Sequence, residues 1–191
     1  MIWNEILCLG DSITAGARDE YGRSYPAELG KILTEQTGEF YYCHNYSKCG
    51  DTSSDLQHKV WNAARSHRDA NLALIMIGTN DVQAPTPVEV YEDNLRQIIS
   101  VVRVHGMTPI LATLPALGET PLYLKNLNYI QKYNYVIHKL SQDMNFTICD
   151  MFGSESDYID GVHYTHEGYK ALAARWAKAI ANMYEEAKCK S

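Results

Sequence analysis

At 191 residues, 46% hydrophobic and 21% charged, the chain has the make-up of an ordinary globular protein and the length for one domain, residues 1–191, with a full core. A formal net charge of −6 argues against a nucleic-acid footprint or a polybasic membrane surface, since both need clustered Lys and Arg. The five cysteines (Cys8, Cys43, Cys49, Cys149, Cys189) are an odd set without a CxxC pair, which points to a reducing, cytoplasmic setting. No basic leader precedes the first apolar run, and no run approaches membrane-spanning length, so neither a signal nor an integral membrane segment is expected.

The first apolar run, Ile6-Leu7-Cys8-Leu9, stops at Gly10-Asp11-Ser12 and reads as a buried strand that delivers a serine to its carboxyl end. Residues 15–24 are polar and contain glycine, the pattern of a loop. Residues 25–36 then predict a helix, with Pro26 in the first turn, Leu29, Ile32 and Leu33 on one face, and Gly38 as the stop. Aromatic-rich residues 40–46 predict strand two, 47–52 a turn, and 53–66 a helix capped by Ser53 or Ser54.

The cleanest buried strand is 72–77, apolar on both faces, and it ends in Gly78-Thr79-Asn80-Asp81. A helix over 87–105 is closed by Gly106, strand four covers 108–114, and residues 115–121 form a Pro/Gly loop. Helix 125–143, strand five over 146–150 and a terminal helix over 165–187 complete the chain. Five strands alternating with helices imply an α/β protein: a parallel sheet in a three-layer α/β/α arrangement. In such sheets ligands sit outside the carboxyl ends of the strands, and Ser12, Gly50, Asn80 and the loop after strand five all fall there.

Serine is a weak nucleophile at neutral pH and needs a base, most often a His oriented by a carboxylate. In Asp160-Gly161-Val162-His163 a carboxylate precedes an imidazole by three residues, a spacing at which it can accept Nδ1–H and leave Nε2 for Ser12. Acyl transfer also needs donors for the developing oxyanion. The Ser12 amide, the Gly50 amide and the Asn80 side chain are candidates. Each block alone also fits a bland reading: a polar turn at Gly10-Asp11-Ser12, a turn glycine at Gly50, a capping Asn80, an Asp-Gly turn beside a surface His163. Four strand ends carrying the right group together favour chemistry. His166 adds the thought of a metal set with Asp160 and His163, but no further carboxylate or cysteine lies near in sequence, and no metal is expected. Asp11 and Asp81 read as groups that hold loop backbones.

Gly10-Asp11-Ser12-Ile13-Thr14, Asn45 with Gly50-Asp51-Thr52, Gly78-Thr79-Asn80-Asp81 and Asp160-Gly161-Val162-His163 resemble, in identity and order, the four blocks of the SGNH (GDSL-like) hydrolase superfamily. The resemblance runs from about residue 6 to residue 169. It implies a flavodoxin-like five-stranded parallel sheet, Ser12 as nucleophile, His163 as base, Asp160 as its orienter, and Ser12, Gly50 and Asn80 as the oxyanion hole. Ile13 and Cys49 depart from the residues frequent in that family, without touching the reacting groups, and no Gly-x-Ser-x-Gly elbow is present.

The expected activity is cofactor-free hydrolysis of a small-molecule or carbohydrate carboxylester through an acyl-enzyme. The short loops 15–24, 82–86 and 115–124 favour small acyl groups such as acetyl. Lysophospholipase, thioesterase or acyl-transfer activity with the same residues is the alternative. A phosphate-binding loop at residues 12–16 is a remoter one.

Overall fold

In a computed structural model, described for residues 3–118, 120, 123–153 and 158–190, the strands form one five-stranded sheet in the order β2-β1-β3-β4-β5. Its members are β1 (Trp3–Gly10), β2 (Phe40–Ser47), β3 (Ala70–Met76), β4 (Thr108–Ala112) and β5 (Thr147–Cys149). All four pairings are parallel, and this is the flavodoxin-like order. Part of the loop expected over 115–124 (residues 119, 121 and 122), and the ends of the chain at 1–2 and 191, lie outside the described residues.

Side-chain alternation on β1 shows why the first apolar run is continuous. Leu7 and Leu9 join a core beneath α3 (Ser53–Ser66), α5 (Val88–Val104) and α6 (Asn128–Met144). Ile6 and Cys8 join a second core beneath α2 (Tyr25–Thr37) and α7 (His166–Lys190). A parallel strand covered on both faces has no solvent side, so both sets of alternate residues must be apolar. Among the described residues no helix is long and apolar enough to cross a membrane.

Several boundaries differ from the sequence reading. Strand three runs 70–76 and not 72–77, strand four stops at Ala112 and not 114, and the helix expected from 125 begins as a 3-10 turn, Leu124–Asn126, before α6. The cap of α3 is Thr52, not Ser53 or Ser54. Thr52 and Asp55 form a reciprocal capping box, with the Thr52 amide donating to Asp55 Oδ2 at 2.9 Å, while Ser53 is drawn away to Asp81. Such a cap stabilises a helix by about 1 kcal/mol.

Two one-turn helices have no counterpart in that reading: α1 (Ser12–Ala15) and α4 (Thr79–Gln83). Each begins directly at a strand end. Asp11 caps α1 by accepting from the Ile13 amide at 3.0 Å, and Gly16 closes it in the left-handed region at φ 79°. The residue before Asp11 has to be glycine for reasons of space. A Cβ on Gly10 would stand 2.1 Å from Thr14 Oγ1 and 2.6 Å from the Met76 carbonyl, so α1 folds back onto the β1–β3 seam only without a side chain there.

Candidate active site

Ser12 is the first residue of α1 and is nearly buried, at 8% exposure. Its Oγ lies 2.9 Å from His163 Nε2, and His163 Nδ1 lies 2.9 Å from Asp160 Oδ2. A carboxylate can only accept, so Nδ1 donates to Asp160 and Nε2 is left to take a proton from Ser12. The three residues from Asp160 to His163 suffice for the Nδ1 contact, and the Nε2 contact joins Ser12 to a histidine 151 residues further along the chain.

The loop carrying the imidazole is shaped locally. Asp160 Oδ1 accepts the His163 amide at 2.9 Å and the Val162 amide at 3.2 Å, and Gly161 takes the left-handed conformation at φ 81° that this tight turn requires. Burial works against the charged carboxyl of Asp160. The hydrogen bonds from the His163 amide and ring, the His163 charge and the Val162 amide outweigh it and hold Asp160 below the usual carboxylate range. From outside, the Gly118 amide donates to the Gly161 carbonyl at 2.7 Å, and a Cβ on Gly118 would come within 2.7 Å of Gly161 Cα. The two loops touch backbone to backbone.

On the other side of Ser12, the Lys48 amide donates to the Gly10 carbonyl at 3.3 Å and the Asp51 amide to the Lys48 carbonyl at 3.1 Å, making a turn with Gly50 exposed at φ 85°. Nothing lies within 4 Å of where a Gly50 side chain would begin, so conformation, and not crowding by protein, calls for glycine. Asn80, in α4, donates from Nδ2 to the Asp51 carbonyl at 2.8 Å. One of its two amide hydrogens is thus committed to holding the Gly50 turn, which fixes the direction of the other. Asp81, fully buried, accepts from the Ser53 amide and hydroxyl at 2.8 and 2.7 Å and from the Thr86 hydroxyl at 2.7 Å, joining α3 to α4.

Asp11 and Asp81 both hold loop backbones, as their positions suggested, but Asp11 does so under electrostatic pressure. Burial, with the charges of Asp81 and Asp51, pushes its carboxyl up to about 7 against the pull of the Ile13 amide, and its Oδ2 has no hydrogen-bond partner among the described residues. His166 turns away from Asp160 and His163 toward Asp19, with 3.3 Å between Nδ1 and Oδ1, and lies edge-on to Tyr21. Among the described residues no three His, Cys, Asp or Glu side chains are arranged to hold a metal ion.

Two contributors were not singled out from the sequence. Asn45 donates from Nδ2 to the Thr14 carbonyl at 2.8 Å and to Ser24 Oγ at 3.1 Å, tying β2 to the back of α1. Its place in the second block was visible, its task was not. Arg18 lies with Nε 3.5 Å from Asp160 Oδ2, and no pattern in residues 15–24 marks it.

A parallel flavodoxin-like sheet that brings a serine, a histidine and an aspartate into one hydrogen-bonded chain at its carboxyl edge is the architecture of a serine hydrolase. Residues 8–171 match the model of the GDSL-like Lipase/Acylhydrolase family, and the chain belongs to that family: it is a hydrolase of carboxylic esters. Thioesterase 1/protease 1/lysophospholipase L1 of Escherichia coli strain K12 is 26% identical, over 92% of this chain and 82% of its own. A lipase/acylhydrolase from Enterococcus faecalis superposes with a TM-score of 0.81 at 23% identity, covering 94% of this chain and 96% of its own. A catalytic mutant of an acetylxylan esterase from Geobacillus stearothermophilus does so with a TM-score of 0.77 at 21% identity, covering 93% and 94%. At these identities the two structures speak for the fold.

Proposed function

We propose that Ser12 is the nucleophile of this esterase, His163 its general base and acid, and Asp160 the group that orients His163. The observation that carries the reading is the unbroken Ser12–His163–Asp160 chain with 2.9 Å at each link. As Ser12 Oγ attacks the ester carbonyl carbon, its proton passes to His163 Nε2 and the carbonyl electrons move onto oxygen. The Ser12 and Gly50 amides and the second Asn80 amide hydrogen receive that oxyanion. Collapse of the intermediate breaks the bond to the alcohol, which leaves with the proton from His163. Water then repeats the sequence on the acyl-enzyme, releasing the acid and restoring Ser12.

The substrate we infer is a short-chain ester of a small molecule or carbohydrate, acetyl first. The short loops 15–24 and 82–86 support it, as does the fold shared with an acetylxylan esterase. A second reading, hydrolysis of thioesters or lysophospholipids, is favoured by the name of the Escherichia coli relative. Phosphate binding by residues 12–16 leaves the Ser12–His163 hydrogen bond without a purpose. The test is hydrolysis of 4-nitrophenyl esters from acetate to laurate: a maximum at acetate or butyrate, abolished in Ser12→Ala, is the expected result. A maximum at laurate would overturn the short-chain substrate, and full activity in Ser12→Ala would overturn the assignment of Ser12.

A further inference from the structure

We propose that Lys59 is a positioning residue for the oxyanion hole: it clamps the buried carboxylate of Asp51, and so holds the Gly50 turn against Asn80 and cancels a negative charge beside the place where the oxyanion forms. The inference rests on the reading of Gly50 and Asn80 as oxyanion donors. Asp51 stands between those two groups. Its amide closes the turn on the Lys48 carbonyl at 3.1 Å, and its carbonyl accepts from Asn80 Nδ2 at 2.8 Å. Its carboxylate, on a side chain only 7% exposed, accepts from Lys59 Nζ at 2.7 Å on each oxygen.

Lys59 lies in the second turn of α3, and its side chain reaches back past the Thr52 cap to Asp51. The start of a helix favours a carboxylate and disfavours a cation, so the ammonium group is drawn there by Asp51 and against the helix dipole. The contact differs from the pairs Lys170–Glu167 and Arg96–Asp143, in which every side chain is at least 36% exposed. Exposed pairs of that kind contribute little, whereas a carboxylate as buried as that of Asp51 is strongly unfavourable without its counter-ion.

The charge matters because of where it sits. With burial and Asp81, the Asp51 charge pushes the Asp11 carboxyl up, so it is felt at the residue beside Ser12. In the proposed mechanism the oxyanion forms among the Ser12 amide, the Gly50 amide and Asn80, and an unpaired carboxylate on the residue next to Gly50 would oppose it. With Lys59 in place the pair is neutral before the reaction starts, and the donors alone face the new charge. Because the oxyanion is absent from the bound ester, the contribution falls on kcat and not on KM.

The test combines 4-nitrophenyl acetate kinetics with inhibition by phenylboronic acid, whose boron bonds to Ser12 Oγ and becomes a tetrahedral anion with an oxygen in the oxyanion hole. Measured well below each melting temperature, Lys59→Met should lower kcat about 10–100-fold, less than the loss of a direct donor, with little change in KM and a parallel weakening of the boronate. Lys59→Gln, which keeps a donor for Asp51 but no charge, should fall between Lys59→Met and the wild type, and gives the same readout should Lys59→Met not fold. Lys59→Arg should recover most of the loss. Asp51→Asn in the Lys59→Met background should recover part of it, because it removes the orphaned charge. Lys59→Met and Lys59→Gln proteins that melt lower but keep kcat and boronate affinity would make the pair a matter of stability and overturn the proposal. A loss confined to KM would overturn it too, as would a double variant no more active than Lys59→Met. Asn80→Ala is the reference: boronate affinity unchanged there would overturn the oxyanion-hole reading and this inference with it. Weakening there beside wild-type affinity in the Lys59 variants would overturn this inference alone.

Discussion

Ser12 and His163 meet across 2.9 Å, but the regions that carry them are built in opposite ways. The serine side is deep and shared among many elements: Gly10 packs against Met76, Asn45 reaches over from β2, Asn80 from α4, and Asp81 ties α3 to α4. The histidine side is a short exposed loop that folds on itself through Asp160 and touches the rest through Gly118 and Gly161. The contrast teaches a division of labour. Ser12, Gly50 and Asn80 are held by the packing of the whole sheet edge, whereas His163 is held by one carboxylate, Asp160, which accepts both its amide and its ring Nδ1–H.

The sharpest way to break this contrast is on the histidine side. His163→Ala should lower kcat on the order of 10⁴–10⁶-fold, and Asp160→Asn nearly as much, because the same carboxyl both shapes the turn and orients the imidazole. Steady-state kinetics with 4-nitrophenyl acetate reads both. Thermal melting should move little for His163→Ala and more for Asp160→Asn, which also loses the strength of two hydrogen bonds to a charged acceptor.

On the serine side Asn80→Ala should lower kcat on the order of 10²–10³-fold with a smaller change in KM, as removal of one oxyanion donor does. A loss confined to KM would mean that Asn80 serves only to bind substrate. Gly10→Ala should act on stability before chemistry: the 2.1 Å clash with Thr14 forces α1 off the sheet at a cost of about 1–3 kcal/mol. Chemical denaturation should find it less stable than the wild type, and an unchanged midpoint would show that the seam is looser than its packing indicates.

The smallest effect concerns Asp11. Its carboxyl is pushed up to about 7 in the folded chain, against about 3.9 when unfolded, so the folded state binds the extra proton. Stability tied to that proton is fully present below about pH 4 and is lost as pH rises through 7. Asp11→Asn, which can still accept from the Ile13 amide, should flatten this dependence and raise the melting temperature at pH 8 by a few degrees. Parallel pH profiles for the two proteins would contradict it.

Much of this was legible in the sequence because the signals are long or chemically distinctive. Continuous apolar runs mark strands covered on both faces, helical periodicity marks the five long helices, and four polar blocks at strand ends mark the groups that meet. The helices α1 and α4 were not legible because four or five residues carry no periodicity, and the strand-end blocks in which they start read equally well as loops. Thr52 was passed over as a cap because three hydroxyl residues stand in a row, and only the distant Asp81 decides which of them is free to cap. The left-handed backbone of Arg18 and the Gly118–Gly161 contact depend on tertiary neighbours far along the chain, and no local pattern announces either.

The central claim is that Ser12 is a hydroxyl activated by His163. The most direct measurement is labelling with a fluorophosphonate probe, followed by intact mass and peptide mapping of the wild-type protein and of His163→Ala. The account predicts one adduct per chain, on Ser12, formed together with loss of esterase activity and strongly slowed without His163. An adduct on another residue, or labelling of Ser12 at an undiminished rate in His163→Ala, would contradict it.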